Sequence, residues 1–166
     1  MLGSCLENPA LFIIPHFAKD GDTTSKKFIA EAVEGLFCQS DKNWEACIID
    51  DNSTNETVIS YLKDLSSKYP EKFKVIFLEQ NFGPGVARNI GIIIAEKNGH
   101  PFILFNDADD ISHPDRLRIT RTTFKEYPEA GLVYSAFEVV DENNVLRPIS
   151  EIPSSIMEIY ELYQNE

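Results

Sequence analysis

Basic side chains are few in this sequence. Fifteen Lys and Arg stand against 27 Asp and Glu in 166 residues, a net charge of -12 with a pI near 4.6. An acidic chain repels phosphate backbones, so no nucleic-acid partner is expected. An anionic ligand could be held only through local cations, helix N-termini or a bridging metal. Cysteine is scarcer. Three residues, Cys5, Cys38 and Cys47, form an odd set without CxxC spacing, which suits a reducing compartment. Cys38 and Cys47 lie in apolar surroundings and are expected as small buried side chains. Long apolar runs are missing, so no membrane span is expected. A basic segment followed by an apolar one is missing from the first residues, so no signal peptide is expected. The sequons at Asn52 and Asn55 are therefore set aside, and a cytoplasmic location is expected. Any membrane association would be peripheral, at the inner face, through regions outside this chain. Repeats, linkers and low-complexity stretches are also missing. With 43% hydrophobic residues, the expectation is one globular domain over 1–166.

Short apolar runs alternate with segments of helical period. Leu11-Phe12-Ile13-Ile14 reads as a strand stopped by Pro15, and Ser25 to Gln39 as a helix capped at Thr24 or Ser25. Strands are expected at Ala46 to Ile49, Phe73 to Leu78 and Phe102 to Phe105, and helices at Thr57 to Lys68, Gly85 to Lys97 and Pro114 to Tyr127. A fifth strand is expected at Gly131 to Phe137, then a hairpin around Asp141-Glu142-Asn143-Asn144 and a short helix at Ile156 to Tyr163. Such alternation predicts an α/β fold, Rossmann-like, with a mostly parallel central sheet and helices on both faces. Ligands collect at the carboxyl ends of the strands in such sheets, so the residues after each strand matter most.

Those residues are polar, acidic and glycine-rich. Asp107-Ala108-Asp109-Asp110 packs three carboxylates into four positions. Like charges that close resist joint ionisation, and a hard divalent cation relieves the repulsion, so Mn²⁺ or Mg²⁺ is the expected cofactor. The same carboxylates could instead cap the helix that follows. Asp50-Asp51 could accept hydrogen bonds from a nucleobase or a ribose, or serve only turn chemistry. Arg88, one turn into the third helix, could contact phosphate or form a surface ion pair. Gly83-Pro84-Gly85 opens like a GxGxxG fingerprint, but Arg88 takes the third glycine position, which argues against a dinucleotide site. His16 or Phe17 could stack on a base, or simply pack.

The ordered set Ile49-Asp50-Asp51-Asn52-Ser53, Asn81-x-Gly83-x-x-x-Ala87-Arg88-Asn89 and Asp107-Ala108-Asp109-Asp110, with Pro114-Asp115-Arg116-Leu117 downstream, resembles the family 2 glycosyltransferases of the GT-A fold. Gly35-Leu36-Phe37-Cys38-Gln39-Ser40 and Trp44-Glu45 resemble that family too, so the likeness runs from about residue 10 to about residue 140. It implies a nucleotide-sugar donor, UDP-linked, and a glycan, lipid-linked or protein acceptor in polysaccharide biosynthesis. Asp51 would bind the base with Asp50 in support, and Pro15 and His16 would flank it. Gly85 and Arg88 would lie by the nucleotide and diphosphate. Asp107 would bind ribose, and Asp109 would coordinate the metal with Asp110 beside it.

One departure is evident. Inverting members of the family carry a general-base carboxylate well beyond the DxD motif, in a C-terminal acceptor-binding part. The sequence after Asp110 lacks that surrounding motif, and Glu158 and Glu161 read as a solvated helix face. The base is thus expected beyond Glu166, and a module that binds donor without turnover is the alternative. A signalling receiver would need a lysine after its last strand, and Val133 to Phe137 offers none. A haloacid-dehalogenase phosphatase would place its DxD after the first strand, not the fourth.

Overall fold

The structure, a computed structural model, describes residues 6–141 and 145–147. The chain divides into two compact units, Met1–Ala130 and Gly131–Glu166.

In the first unit four strands form one all-parallel sheet in the order β3-β2-β1-β4. They are β1 (Ala10–His16), β2 (Trp44–Asp50), β3 (Phe73–Phe77) and β4 (Ile103–Phe105). The helices between and after them are α1 (Ser25–Phe37), α2 (Glu56–Lys68), α3 (Pro84–Asn98) and α4 (Arg116–Glu126). Strand alternation sends Phe12, Ile14, Ala46 and Ile48 into one layer with Ile29, Val33 and Leu36 of α1, Val58 and Leu62 of α2 and Leu117 of α4. Leu11, Ile13, Cys47 and Ile49 face the other way, onto Ala87 and Ala95 of α3. The expected parallel sheet with both faces covered is present. Each fully buried Ile or Phe in these layers contributes about 1.5–3 kcal/mol. The chain steps outward from β1 to β3, then crosses by α3 to β4 on the far side of β1. The carboxyl ends of β1 and β4 therefore flank the point where the strand order reverses, the usual ligand crevice of such sheets.

Two glycines make this geometry possible. Gly83 caps α3 at φ 87°, a left-handed conformation that favours glycine, with Pro84 at the first helical position. Gly91 lets α3 approach β1 so closely that an added Cβ would stand 2.5 Å from Ile13 Cγ2.

Several elements differ from the sequence expectations. Pro15 does not stop β1, which continues to His16 opposite Asp50. Leu11 N donates to Phe102 O and Asn106 N donates to Ile13 O, so odd positions of β1 direct their backbone groups toward β4. Phe105, the last residue of β4, lies opposite Ile13, so the N–H that Pro15 lacks would point past the end of that strand. Thr24 holds the N-cap position of α1 as expected, but its side chain makes no capping bond; Asp22 Oδ1 instead accepts the Thr24 and Ser25 amides at 2.8 and 3.1 Å. Cys38 follows the last turn of α1 and is exposed, whereas Cys47 is buried, and burial pushes its thiol up to about 11.

In the second unit β5 (Val139–Val140) pairs antiparallel with β6 (Leu146–Arg147), which matches the expected hairpin. No strand forms over 131–137. Its apolar residues Leu132, Tyr134 and Phe137 are exposed, and among the described residues no strand pairs with the segment. Alternating apolar residues become a strand only where a neighbour takes their backbone hydrogen bonds. The expected helix at 156–163 lies outside the described residues. Among the described residues no helix is long and apolar enough to cross a membrane.

Candidate functional site

Everything that the strand ends carry meets at one edge of the sheet. At the end of β1, His16 Nδ1 donates to Asp50 Oδ2 at 2.9 Å, strand end to strand end, with both side chains buried. The turn after β2 closes on the same carboxylate. Ser53 N donates to Asp50 Oδ1 at 2.9 Å and Ser53 Oγ to Oδ2 at 2.6 Å, while Asn52 between them takes φ 65°. Ser53 Oγ in turn accepts the Ala18 amide at 2.8 Å. Burial alone would raise the Asp50 pKa, but the hydrogen bonds from His16 and Ser53 and the imidazole charge hold it below the usual carboxylate range. Among the described residues, His16 Nε2 is buried with no hydrogen-bond partner. A buried ring nitrogen without a partner costs on the order of 1–3 kcal/mol, which the Nδ1 bond to Asp50 helps to offset.

Asp51 turns toward the next connection. Its carboxylate, almost fully buried, accepts the Phe82 amide at 2.8 Å on Oδ1 and the Gly83 amide at 2.7 Å on Oδ2. One side chain thus fixes the loop that starts α3. One turn into that helix, Arg88 Nη2 donates to Asp107 Oδ1 at 2.6 Å, across 19 residues. Arg88 and Asp107 are each partly exposed, so the pair can be shared with an incoming ligand.

The aspartate cluster is shaped from beneath by Asn106. This buried side chain donates Nδ2 to the carbonyls of Asp107 and Asp110 at 2.9 and 3.0 Å, and its Oδ1 accepts Ser112 Oγ at 2.6 Å and Arg116 Nη1 at 3.2 Å. Arg116 also binds Phe105 O at 2.7 Å and Ser112 Oγ at 2.9 Å. Burial, then the charges of Asp109 and Asp107, raise the Asp110 pKa, and Arg116 opposes them. Among the described residues no three His, Cys, Asp or Glu side chains converge into a ready-made metal cage. The chemistry of the donor set still fits a hard divalent ion. Asp109 and Asp110 present exposed carboxylate oxygens whose charges repel one another, the kind of donor such an ion prefers.

The structure therefore brings Asp51, Arg88 and Asp107 into one hydrogen-bonded succession, with Asp109 and Asp110 next in the chain. His16 and Asp50 form a separate buried pair that continues the layer of Ile14 and Ile48, on the side away from α3. Pro15 is buried in β1, and Gly85 is exposed at the start of α3 with open space around it. A cavity of about 360 Å³ opens at the other end of the sheet, beside Glu45, Lys72 and His100, and no residue of this site lines it. Sequence reasoning missed the supports. Asn106, next to the aspartates and after an apolar strand, is the one that its position could have flagged. Buried Gln39 bridges Gly35 O, His113 O and the Leu117 amide, tying α1 to the start of α4. Buried Arg121 of α4 binds Asp41 at 2.7 Å and the carbonyls of Leu6, Asn8 and Asn43.

A sequence model described as glycosyl transferase family 2 matches residues 12–166. An uncharacterised glycosyltransferase of Rickettsia felis is 34% identical over 113 residues, covering 68% of this chain and 17% of that protein. Another from Methanocaldococcus jannaschii is 29% identical over 145 residues, covering 85% of this chain and 48% of that protein. Residues 1–349 of S. aureus TarS in complex with UDP superpose with a TM-score of 0.58 at 26% identity, over 82% of this chain and 43% of that one. The chain spans under half the length of these relatives.

Proposed function

This chain belongs to glycosyl transferase family 2 and has the GT-A fold of its structural neighbours, and from that premise we propose that it binds a UDP-linked sugar at the carboxyl edge of its sheet, for transfer with inversion to a glycan, lipid-linked or protein acceptor. The observation that carries the reading is the succession Asp51, α3 N-terminus, Arg88, Asp107, which ends at the aspartate cluster. A UDP-bound relative with the same architecture supports the choice of nucleotide.

In this reading Asp51 receives the base. The Phe82 and Gly83 amides take one lone pair on each oxygen, and a second remains on each for a base N–H. Asp50 and His16 support that end from within the sheet, and Pro15 closes its flank. Gly85, without a side chain at the first turn of α3, lets phosphate approach the helix N-terminus, where amides and dipole favour an anion. Arg88 supplies the fixed positive charge for the diphosphate, and Asp107 the carboxylate for ribose hydroxyls. Asp109 and Asp110 would hold Mn²⁺ or Mg²⁺, which supplies Lewis-acid stabilisation of charge on the departing diphosphate. Inversion is a direct displacement. The acceptor oxygen bonds to the anomeric carbon as its bond to the diphosphate breaks, and a carboxylate base takes the acceptor proton.

A second reading is donor binding without turnover. It is favoured by the placement of every matched site residue on the donor side. Incubation with UDP-sugars and Mn²⁺ separates the two. Release of UDP, with or without an added acceptor, supports the enzyme; UDP binding with no release over hours supports the binding module.

A further inference from the structure

Resting on the donor-site reading, we propose that His16 is a positioning residue, which holds Asp50 so that its neighbour Asp51 meets the start of α3. The imidazole is 2% exposed and stands on the α1 and α2 side of the sheet, in line with Ile14. Asp51 bonds on the α3 side. The two therefore act through the backbone they share rather than by touching. Asp51 N donates to His16 O at 2.8 Å, and Leu78 N donates to Asp50 O at 2.8 Å, so the turn is gripped by both neighbouring strands. Within it Asn52 adopts φ 65°, a left-handed conformation that asparagine tolerates better than most non-glycine residues. The turn is held by the Asp50 carboxylate, bound by Ser53 on both oxygens and by His16 Nδ1 at 2.9 Å. Remove the imidazole donor and a buried carboxylate keeps Ser53 alone, in a cavity the ring had filled. The turn then relaxes, and Asp51 moves off the Phe82 and Gly83 amides.

An apolar side chain at position 16 would continue the Ile14 layer without an unpaired nitrogen. Among the described residues Nε2 of the ring has no partner, whereas Nδ1 bonds Asp50, so the polar contribution of the ring is through Nδ1. That distinction gives the experiment its variants. In His16→Asn the amide nitrogen takes the place of Nδ1 and keeps the bond to Asp50. In His16→Gln it takes the place of Nε2 and loses that bond. His16→Leu keeps bulk and loses both.

Calorimetric titration with UDP and Mn²⁺ is paired with hydrogen exchange at individual amides. The proposal predicts that H16N binds UDP within about threefold of wild type, while H16Q and H16L lose about tenfold or more. It predicts that the Phe82 and Gly83 amides lose protection in H16Q and H16L, with Ile13 and Ile48 still protected. Equal loss in H16N and H16Q overturns it, as does H16L with wild-type UDP affinity and a protected loop. A wild-type chain that binds no UDP overturns the donor-site reading itself. The exchange arm then decides the relay: lost protection at Phe82 and Gly83 upholds it, and unchanged protection overturns it.

Discussion

The carboxylate of Asp51 accepts the amide of Gly83 at 2.7 Å, and Gly83 is the N-cap of α3. A fixed negative charge thus meets the positive end of a helix dipole and satisfies an amide that no helical carbonyl can reach. It also delivers Arg88 to the aspartate cluster.

Removing that carboxylate strands two amides. Asp51→Ala is expected to destabilise the chain by about 2 kcal/mol or more, since two part-buried amides lose a charged acceptor and a hydrogen bond to a charged group contributes about 1.5–3 kcal/mol. Asp51→Asn keeps one acceptor and should lose about half as much. Urea unfolding midpoints measure both, and equal midpoints for all three chains would contradict the geometry.

Arg88 behaves differently, because its partner Asp107 is only half-buried. Exposed ion pairs contribute about 0–1 kcal/mol, so Arg88→Ala should leave the midpoint nearly unchanged. UDP affinity should nonetheless fall by about tenfold or more, the loss of a charge-assisted contact to phosphate. A large stability loss with intact UDP binding would reverse the assignment.

Acid should act through Asp50. Its folded pKa lies below the ordinary value of 3.8, so its stabilising contribution is complete above that value and is lost as pH falls through the lower folded value. Unfolding midpoints taken from about pH 7 down to about pH 2 should therefore fall less steeply below about pH 4 in Asp50→Asn than in wild type. Parallel acid limbs would show that the Asp50 pairing adds no pH-dependent stability.

Gly91→Ala tests how close α3 lies to β1. The added Cβ would meet Ile13 Cγ2 at 2.5 Å, on a fully buried β-branched side chain of the central strand. Overpacking costs about 1–3 kcal/mol, more than the ~1 kcal/mol of helix propensity that alanine gains over glycine. The variant should be the less stable one by urea unfolding; a gain in stability would place α3 farther from β1.

Periodicity and punctuation placed the four parallel strands and four helices in the sequence, because each is a local pattern bounded by a Gly, Pro or cap. The site motifs were legible for a related reason: they follow strands, and parallel strands bring their ends together. What stayed hidden depends on partners distant in the chain. Nothing local tells that Asp51 is met by amides 31 and 32 residues on, or that Arg121 reaches back 115 residues to Leu6. Pro15 reads as a strand stop until the end of β4 beside it is known. The apolar run at 131–137 reads as a strand, but among the described residues no neighbour pairs with it.

The central claim is tested most directly by titrating UDP into the chain with and without Mn²⁺, in wild type and in Asp109→Asn. The account predicts a saturating isotherm that strengthens with Mn²⁺, and loss of that metal-dependent gain in Asp109→Asn at an unfolding midpoint near wild type. Absence of UDP binding in the wild-type chain, or a Mn²⁺-dependent gain that survives in Asp109→Asn, would contradict it.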